Sequence, residues 1–336
     1  MKASEFWYDL PESAIAQTAI EPRHDARLLD TRDLTDHRFL DLPDLLAPRD
    51  LLVVNESRVR RARLFGARLG TGGHVELLLL EHLPDGTWEA LARPSRRLRP
   101  GVVIEFDGFT AEVVTDPMEG IVRVRLDAAD EEAAVARAGS VPLPPYFTGS
   151  LADPERYQTM FATTPGSAAA PTAALHFTDE VVDRIRARGV SIARVDLHVS
   201  LDTFRPMTVE DIDDHEMHKE WCSVPHETAI AIAETRDAGG RVIAVGTTVV
   251  RTLETMSDGS GGVEAGEKRT DLFIRPGSEF RVVDGLVTNF HMPGSTLLVL
   301  LAAFMGDGWR DAYQTALDRD YRFLSFGDSM FALGRR

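Results

Sequence analysis

Cysteine is nearly missing from this chain: Cys222 is the only one in 336 residues. No intrachain disulfide can form, which points away from an oxidising compartment. Long apolar runs are missing too. The best, residues 296–304, falls well short of the ~20 residues that a membrane helix needs. Residues 1–10 lack the basic-then-apolar layout of a secretory leader. These absences predict a cytoplasmic chain with no membrane partner. Positive charge is scarce: 37 Lys and Arg stand against 53 Asp and Glu, a formal net charge of −16. That argues against a generally basic nucleic-acid binder, although local patches still count. No G-x-G-x-x-G follows a predicted strand, so neither a dinucleotide site nor an ordinary Rossmann methyltransferase site is supported. Gly261 and Gly266 have phosphate-loop spacing, but Glu267 stands where that loop needs lysine.

What is present is an ordinary apolar share, 43%, in a chain long enough for two domains. Residues 51–54 read as a short buried strand that ends at Asn55-Glu56-Ser57-Arg58. From 64 to 126, short β-type runs recur at 75–80, 88–92, 102–106, 111–115 and 121–126, separated by turn signals such as Pro84-Asp85-Gly86 and Asp107-Gly108. Such spacing predicts a small barrel or sandwich. An acidic, Ala-rich helix at 127–138 and a stiff Pro-rich linker at 141–146 follow. Beyond the linker, helices and strands alternate. Helices are predicted at 179–188 (capped by Thr178), 226–237, 247–256 and from Ser295. Strands are predicted at 191–199, 241–245, 272–274, 280–283 and 286–290, with a Gly-rich loop at 257–268. The pattern predicts a mixed-sheet α/β main domain formed by 1–63 and 147–336, with a small β-barrel domain inserted at 64–146.

Polar residues gather where predicted strands end. Three such ends, Asn55 to Arg58, Gly246 to Thr248 and Asn289 to Ser295, lead into polar, helix-opening sequence. Helix N-termini offer unpaired N–H groups and a partial positive charge, which suit carboxylates or phosphates. The small-residue run Ala168 to Ala174 precedes His176 and Phe177, and Arg205 follows the next strand. His176 and His291 suit acid–base work near neutral pH, and Arg205 and Arg251 suit a bidentate carboxylate clamp. A plain helix entrance and strand exit is the competing reading. His215, His218, Cys222 and His226 have intervals that would suit zinc on one helical face, but Pro225 interrupts that helix and Trp221 intervenes. No metal is expected there, and His218 alone is retained as a candidate near substrate. Two arginine runs, Arg58-Arg60-Arg61-Arg63 and Arg93-Arg96-Arg97-Arg99, read either as a phosphate footprint or as a solvated face paired with acids.

A set of colinear blocks narrows this. They include Phe6-Trp7-Tyr8-Asp9-Leu10-Pro11, Ile20-Glu21-Pro22-Arg23, Ala62-Arg63-Leu64, Pro142-Leu143-Pro144-Pro145-Tyr146, 169–177, Thr203-Phe204-Arg205-Pro206, 215–221, 244–249 with Arg251, Thr288-Asn289-Phe290-His291, Ser295-Thr296-Leu297-Leu298 and 321–330. Across nearly the whole length the chain resembles the S-adenosylmethionine:tRNA ribosyltransferase-isomerase family of queuosine biosynthesis. The resemblance implies an α/β domain with an inserted barrel. It also implies a reaction, in which the ribosyl part of S-adenosylmethionine moves to the aminomethyl group of 7-aminomethyl-7-deazaguanine in tRNA. The product carries an epoxycyclopentanediol, and adenine and methionine leave. S-adenosylmethionine is then a substrate, no cofactor is implied, tRNA is the partner, and a monomer is expected.

Within that reading His176 is the first candidate for acid–base work, ahead of His291 and His218. Arg205, Thr247, Thr248 and Arg251 are expected to hold the methionine carboxylate or ribose hydroxyls, and Phe177 and Phe290 to flank adenine. Asn55, Arg58, Thr172, Asn289, Ser295 and Thr296 complete the substrate set, and Arg60, Arg61, Arg63, Arg96, Arg97 and Arg99 meet tRNA. The chain departs from the family pattern at Ala174, Ser200 and Asp202, where glycines are usual, and at Phe147, where a basic residue is. Lost glycines are expected to reshape the pocket. The alternatives are a paralogue using a non-tRNA small-molecule acceptor and a non-catalytic S-adenosylmethionine-binding module.

Overall fold

The computed structural model describes residues 1–149, 151, 153–199, 206–217 and 219–334. The chain divides into two compact units, one made of Met1–Arg58, Pro144–Leu151 and Arg156–Arg336, the other of Val59–Leu143 with Ala152–Glu155.

The first unit is built on a nine-stranded sheet. Its spatial order is Gly266–Thr270, Glu220–Val224, Ser191–Leu197, Leu51–Asn55, Val242–Val245, Gly285–Asn289, Ser329–Leu333, Arg27–Asp30 and Thr35–Arg38. The four strands from Ser191–Leu197 to Gly285–Asn289 run parallel, and antiparallel strands flank them. Leu51–Asn55, Val242–Val245 and Gly285–Asn289 are buried along their whole length because both faces of the sheet are covered. Alternate side chains serve opposite faces: Leu51, Val53, Val242 and Ala244 join one core cluster, while Leu52, Val54, Ile243 and Val245 join the other. Helices Thr247–Thr255, Thr296–Met305 and Gly308–Asp318 pack into the first core and Asp179–Ala187 into the second. From Leu51–Asn55 the chain winds first to one side, at Ser191–Leu197, and then to the other, at Val242–Val245. Open α/β sheets bind ligands beyond the strand C-termini at such a reversal.

Several local expectations are corrected. Residues 272–274 and 280–283 are irregular rather than strands. The Glu254 carboxylate accepts the backbone N–H groups of Arg281, Val282 and Val283 at 2.9–3.1 Å, so those donors are not available to a ladder. The Gly-rich stretch expected as a loop ends in the strand Gly266–Thr270, which pairs with Glu220–Val224. The latter is itself a strand, so Cys222 and His226 share no helical face. Thr178 precedes its helix without capping it, because its hydroxyl meets His24 Nδ1 at 2.7 Å.

The second unit is a closed six-stranded antiparallel barrel in the order Ile121–Asp127, Trp88–Arg93, His74–His82, Arg63–Arg68, Val103–Phe106 and Phe109–Val113. Alternation is strict in Ile121–Asp127, where Val122, Val124 and Leu126 face inward and Arg123, Arg125 and Asp127 face solvent. Helix Glu131–Ala138 is capped by Asp130, whose carboxylate accepts Ala133 N–H at 3.0 Å. No helix among the described residues is long and apolar enough to cross a membrane.

Candidate active site

Beyond the C-terminal ends of the parallel strands lies a pocket of about 600 Å³, counting its open mouth. Val199, Gly246 to Thr248, Thr288 to Met292 and Ser295 reach it from three strand ends, and Thr172, Ser325 and Tyr146 close it. No Asp, Glu, Lys or Arg lines it among the described residues. What these residues offer a charged ligand is dipoles, hydroxyls and an imidazole.

The turn after Val242–Val245 makes the first feature. Gly246 sits at φ +91°, where a side chain would be strained, and the place of its missing Cβ is 3.5 Å from Ala173 Cβ. Helix Thr247–Thr255 therefore starts abruptly, with no side-chain cap on its first N–H groups. The Thr248 hydroxyl lies beside them, 8% exposed as a residue and with no hydrogen-bond partner for Oγ1. A buried hydroxyl without a partner costs roughly 1–3 kcal/mol, and a ligand acceptor in the pocket removes that cost. Helix Thr296–Met305 differs. Ser295 caps it by accepting Leu298 N–H, and its own O–H donates to Met292 O at 2.7 Å.

His291 is the pocket's imidazole. The Tyr8 hydroxyl donates to its backbone carbonyl at 2.5 Å, and its backbone N–H donates to the Tyr313 oxygen at 2.7 Å, so its backbone is held from two sides. Its Nε2 lies 3.1 Å from Thr288 Oγ1. Burial pushes the ring down to about 3, so it is neutral in the physiological range. Asn289 continues the wall. Its Oδ1 accepts from Thr172 Oγ1 at 2.9 Å, and its Nδ2 donates to His176 Nε2 at 3.2 Å and to Asp328 O at 3.3 Å. Ser325 and Tyr146 share a 2.5 Å hydroxyl contact, and burial raises the Tyr146 phenol to about 12.

The pocket thus unites Thr172, Thr247, Thr248, Asn289, Phe290, His291 and Ser295. Other expected site residues lie elsewhere. His176 faces away, into a separate cleft with Arg23, Arg156 and Arg322. Its Nε2 is engaged by Asn289 and a second hydrogen bond joins it to the Arg23 backbone. Burial first, then the Arg156 charge, push its ring down to about 3. Phe177 packs between Phe39 and Phe161 in the core. Phe290 packs edge-on against Tyr313 and Tyr321 and tilted against Phe323, although it contributes to the lining. Asn55 is 0% exposed; its Nδ2 donates to Leu197 O and its Oδ1 accepts the N–H of Ser57 and Leu197. It ties two strands together and has nothing left for a substrate.

Arg251 lies outside the lining, and its buried Nη2 has no hydrogen-bond partner among the described residues. Its side chain is 4% exposed and forms a buried ion pair with Glu220. Its Nε donates to Leu272 O. Thr296 opens its helix outside the lining, and Arg58 lies in the strand Ser57–Val59. Arg205 and His218, with Ser200 and Asp202, lie outside the described residues. Ala174 is buried in the core with Phe39 and Phe177, so the glycine lost there does not alter the lining. Tyr146, Thr288, Met292 and Ser325 were not singled out by sequence; Tyr146, Thr288 and Ser325 lie in blocks that carry the family resemblance.

The barrel's arginines divide into two groups. Arg60 pairs with Glu132 and lies over Trp88, Arg61 donates to Gly139 O, and Arg63 pairs with Glu76 and covers Phe65. Arg99 pairs with Asp116 on the surface. Arg96 and Arg97 are exposed. A free guanidinium is the part of the predicted footprint that RNA can use.

Residues 3–332 match a protein family described as queuosine biosynthesis protein. The S-adenosylmethionine:tRNA ribosyltransferase-isomerase of Symbiobacterium thermophilum is 50% identical over 99% of this chain and 100% of its own. Its namesake from Natranaerobius thermophilus is 47% identical over 98% of this chain and 99% of its own. That of Staphylococcus epidermidis is 45% identical over 99% and 100%. The crystal structure of an S-adenosylmethionine tRNA ribosyltransferase from Thermotoga maritima, 36% identical, aligns over 98% of this chain and 100% of that one with a TM-score of 0.57.

Proposed function

The chain belongs to the queuosine biosynthesis protein family, and on that premise we propose that it is an S-adenosylmethionine:tRNA ribosyltransferase-isomerase. It transfers and isomerises the ribosyl moiety of S-adenosylmethionine onto the aminomethyl group of 7-aminomethyl-7-deazaguanine in tRNA. Epoxyqueuosine, adenine and methionine are formed. Relatives at 45–50% identity over the full length carry that name, which disfavours a small-acceptor paralogue and a non-catalytic module.

The observation that carries the mechanism is the uncapped start of helix Thr247–Thr255 with the unpartnered Thr248 hydroxyl beside it, opening into a pocket that no charged side chain lines among the described residues. We assign the methionine carboxylate to those N–H groups and that hydroxyl, where the helix dipole favours an anion. The oxygens of Thr172, Ser325 and Asn289 line the pocket and keep acceptor capacity beside their internal hydrogen bonds, and we assign the ribose hydroxyls to them. The sulfonium makes the adjacent C5′ protons acidic, and no carboxylate among the described lining residues stands beside it to offset that charge. His291, neutral and held by its backbone, accepts one of these protons. A base held near 3 is weak by Brønsted standards. Most of the acceleration therefore rests on the acidity of the C–H beside sulfur and on orientation. Adenine then leaves, the aminomethyl nitrogen attacks the ribosyl skeleton, and methionine departs. Exposed Arg96 and Arg97 offer phosphate contacts to the tRNA.

The test is adenine release from S-adenosylmethionine, followed by chromatography, with tRNA carrying or lacking aminomethyl-deazaguanine. Release that requires the modified tRNA supports the reading. Release driven equally by a small amine, or none with modified tRNA, rejects it.

A further inference from the structure

On the other side of the Asn289–His176 contact from the substrate pocket is a cleft of about 230 Å³, counting its mouth, lined by three guanidinium groups. Arg23, Arg156 and Arg322 come from distant parts of the sequence and converge on it with His176. No carboxylate lines it among the described residues. The nearby acids are already engaged. Glu21 pairs with Arg156 at the surface, and Asp328 accepts the backbone N–H groups of Arg27 and Arg322. The three side chains are fixed rather than waving. Arg23 donates to Gln158 O at 2.8 Å, Arg156 to Ile20 O at 2.7 Å, and Arg322 to Thr18 O and Phe326 O at 2.9 and 2.8 Å. Arg322 keeps a buried Nε–H that has no partner.

Arg156 has a carboxylate partner, Glu21 at the surface, and the described lining keeps a net positive charge on a chain whose own net charge is −16. Fixed guanidiniums with an unmet N–H suit an oxyanion with several acceptor oxygens. The cleft does not open far from the chemistry, because Ser325 lines both it and the substrate pocket. We infer that the Arg23–Arg156–Arg322 cleft is a phosphate subsite, which takes a backbone phosphodiester of the acceptor RNA and so sets the acceptor strand across Ser325 at the pocket mouth. The inference rests on the tRNA reading above and adds to it the place where the strand is gripped. The same cleft chemistry would also suit the carboxylate of the methionine moiety, and the experiment separates the two.

The full chain and its Arg23→Gln and Arg322→Gln variants are titrated with an anticodon stem-loop RNA across a salt series, and separately with S-adenosylmethionine. A thermal melt of each variant checks folding. Loss of one phosphate contact on single-stranded RNA flattens the log–log salt slope by about 0.7. The expected result is such a flattening with a roughly tenfold weaker RNA affinity, and S-adenosylmethionine affinity within twofold of wild type. Stem-loops with one neutral methylphosphonate linkage beside the target nucleotide give the same loss on wild type at one position, and little further loss on the variants. Unchanged RNA affinity and slope in both variants overturns the inference while leaving the tRNA reading intact. Weakened S-adenosylmethionine binding with unchanged RNA binding overturns it in favour of the carboxylate. Wild-type protein that neither binds the stem-loop at low salt nor releases adenine with modified tRNA removes both.

Discussion

At the residue scale the site turns on which polar atoms have a free valence. His176 and His291 are both buried and both neutral, yet only His291 lines the substrate pocket. His291→Ala is expected to keep S-adenosylmethionine affinity within a few-fold and to lower adenine release about 10²-fold, the usual scale for a lost general base. His176→Ala removes the group that orients Asn289, so binding and turnover are expected to fall together, with a lower melting temperature. Full turnover in His291→Ala ends its assignment. Thr248→Val makes a different comparison. The methyl replaces a hydroxyl that has no partner in the free protein, so the melting temperature should hold or rise. Substrate affinity should drop roughly tenfold, about one hydrogen bond to a charged group. Isothermal titration and a melt on the same sample decide this, and unchanged affinity places the carboxylate elsewhere.

At the scale of elements, ion pairs and carboxylate brackets hold the helix that opens the pocket. Arg251 on helix Thr247–Thr255 reaches Glu220 on the strand Glu220–Val224, both almost fully buried. Removing one partner of such a pair leaves an uncompensated charge and costs about 3–5 kcal/mol. Glu220→Gln should therefore lower stability by that order in urea unfolding, while the folded fraction binds S-adenosylmethionine normally. Wild-type stability with lost substrate affinity is the outcome that would return Arg251 to substrate binding. Glu254, near the end of the same helix, holds residues 281–283 by their backbone N–H groups, so the helix is anchored on two sides while its first turn stays open.

At the scale of the whole molecule the two neutral histidines make stability depend on pH. Burial lowers both rings to about 3 in the folded chain, against roughly 6.5 when unfolded. Between those values the unfolded chain binds more protons. The stabilisation is therefore full above about 6.5 and is lost as the pH falls, at about 1.4 kcal/mol per unit for each ring. At pH 5 the loss is about 4 kcal/mol for the two together. Burial raises the Asp328 carboxyl and works in the opposite direction. Chemical unfolding at pH 7 and pH 5, repeated on His176→Gln, should show a shallower pH dependence in the variant, by about 2 kcal/mol. An unchanged slope shows that His176 is protonated in the folded state.

Much of this architecture is legible from local pattern. Turn signals at short intervals announced the barrel, and helix–strand alternation announced the α/β sheet, because period and punctuation are properties of neighbours along the chain. The strands Arg27–Asp30 and Ser329–Leu333 were not legible, since each gains its meaning from the other across the length of the chain. The same limit governs the site. Family blocks brought Thr172, Thr248, Asn289 and His291 into view, but they ranked His176 first and included Asn55 and Arg251. Asn55 and Asn289 are alike in sequence, each an asparagine ending a buried parallel strand. Only the fold hands the Asn55 amide to Leu197, 142 residues away, and leaves Asn289 facing a pocket. A side chain's chemistry belongs to the sequence, while its unfilled hydrogen bonds depend on partners that only tertiary packing supplies.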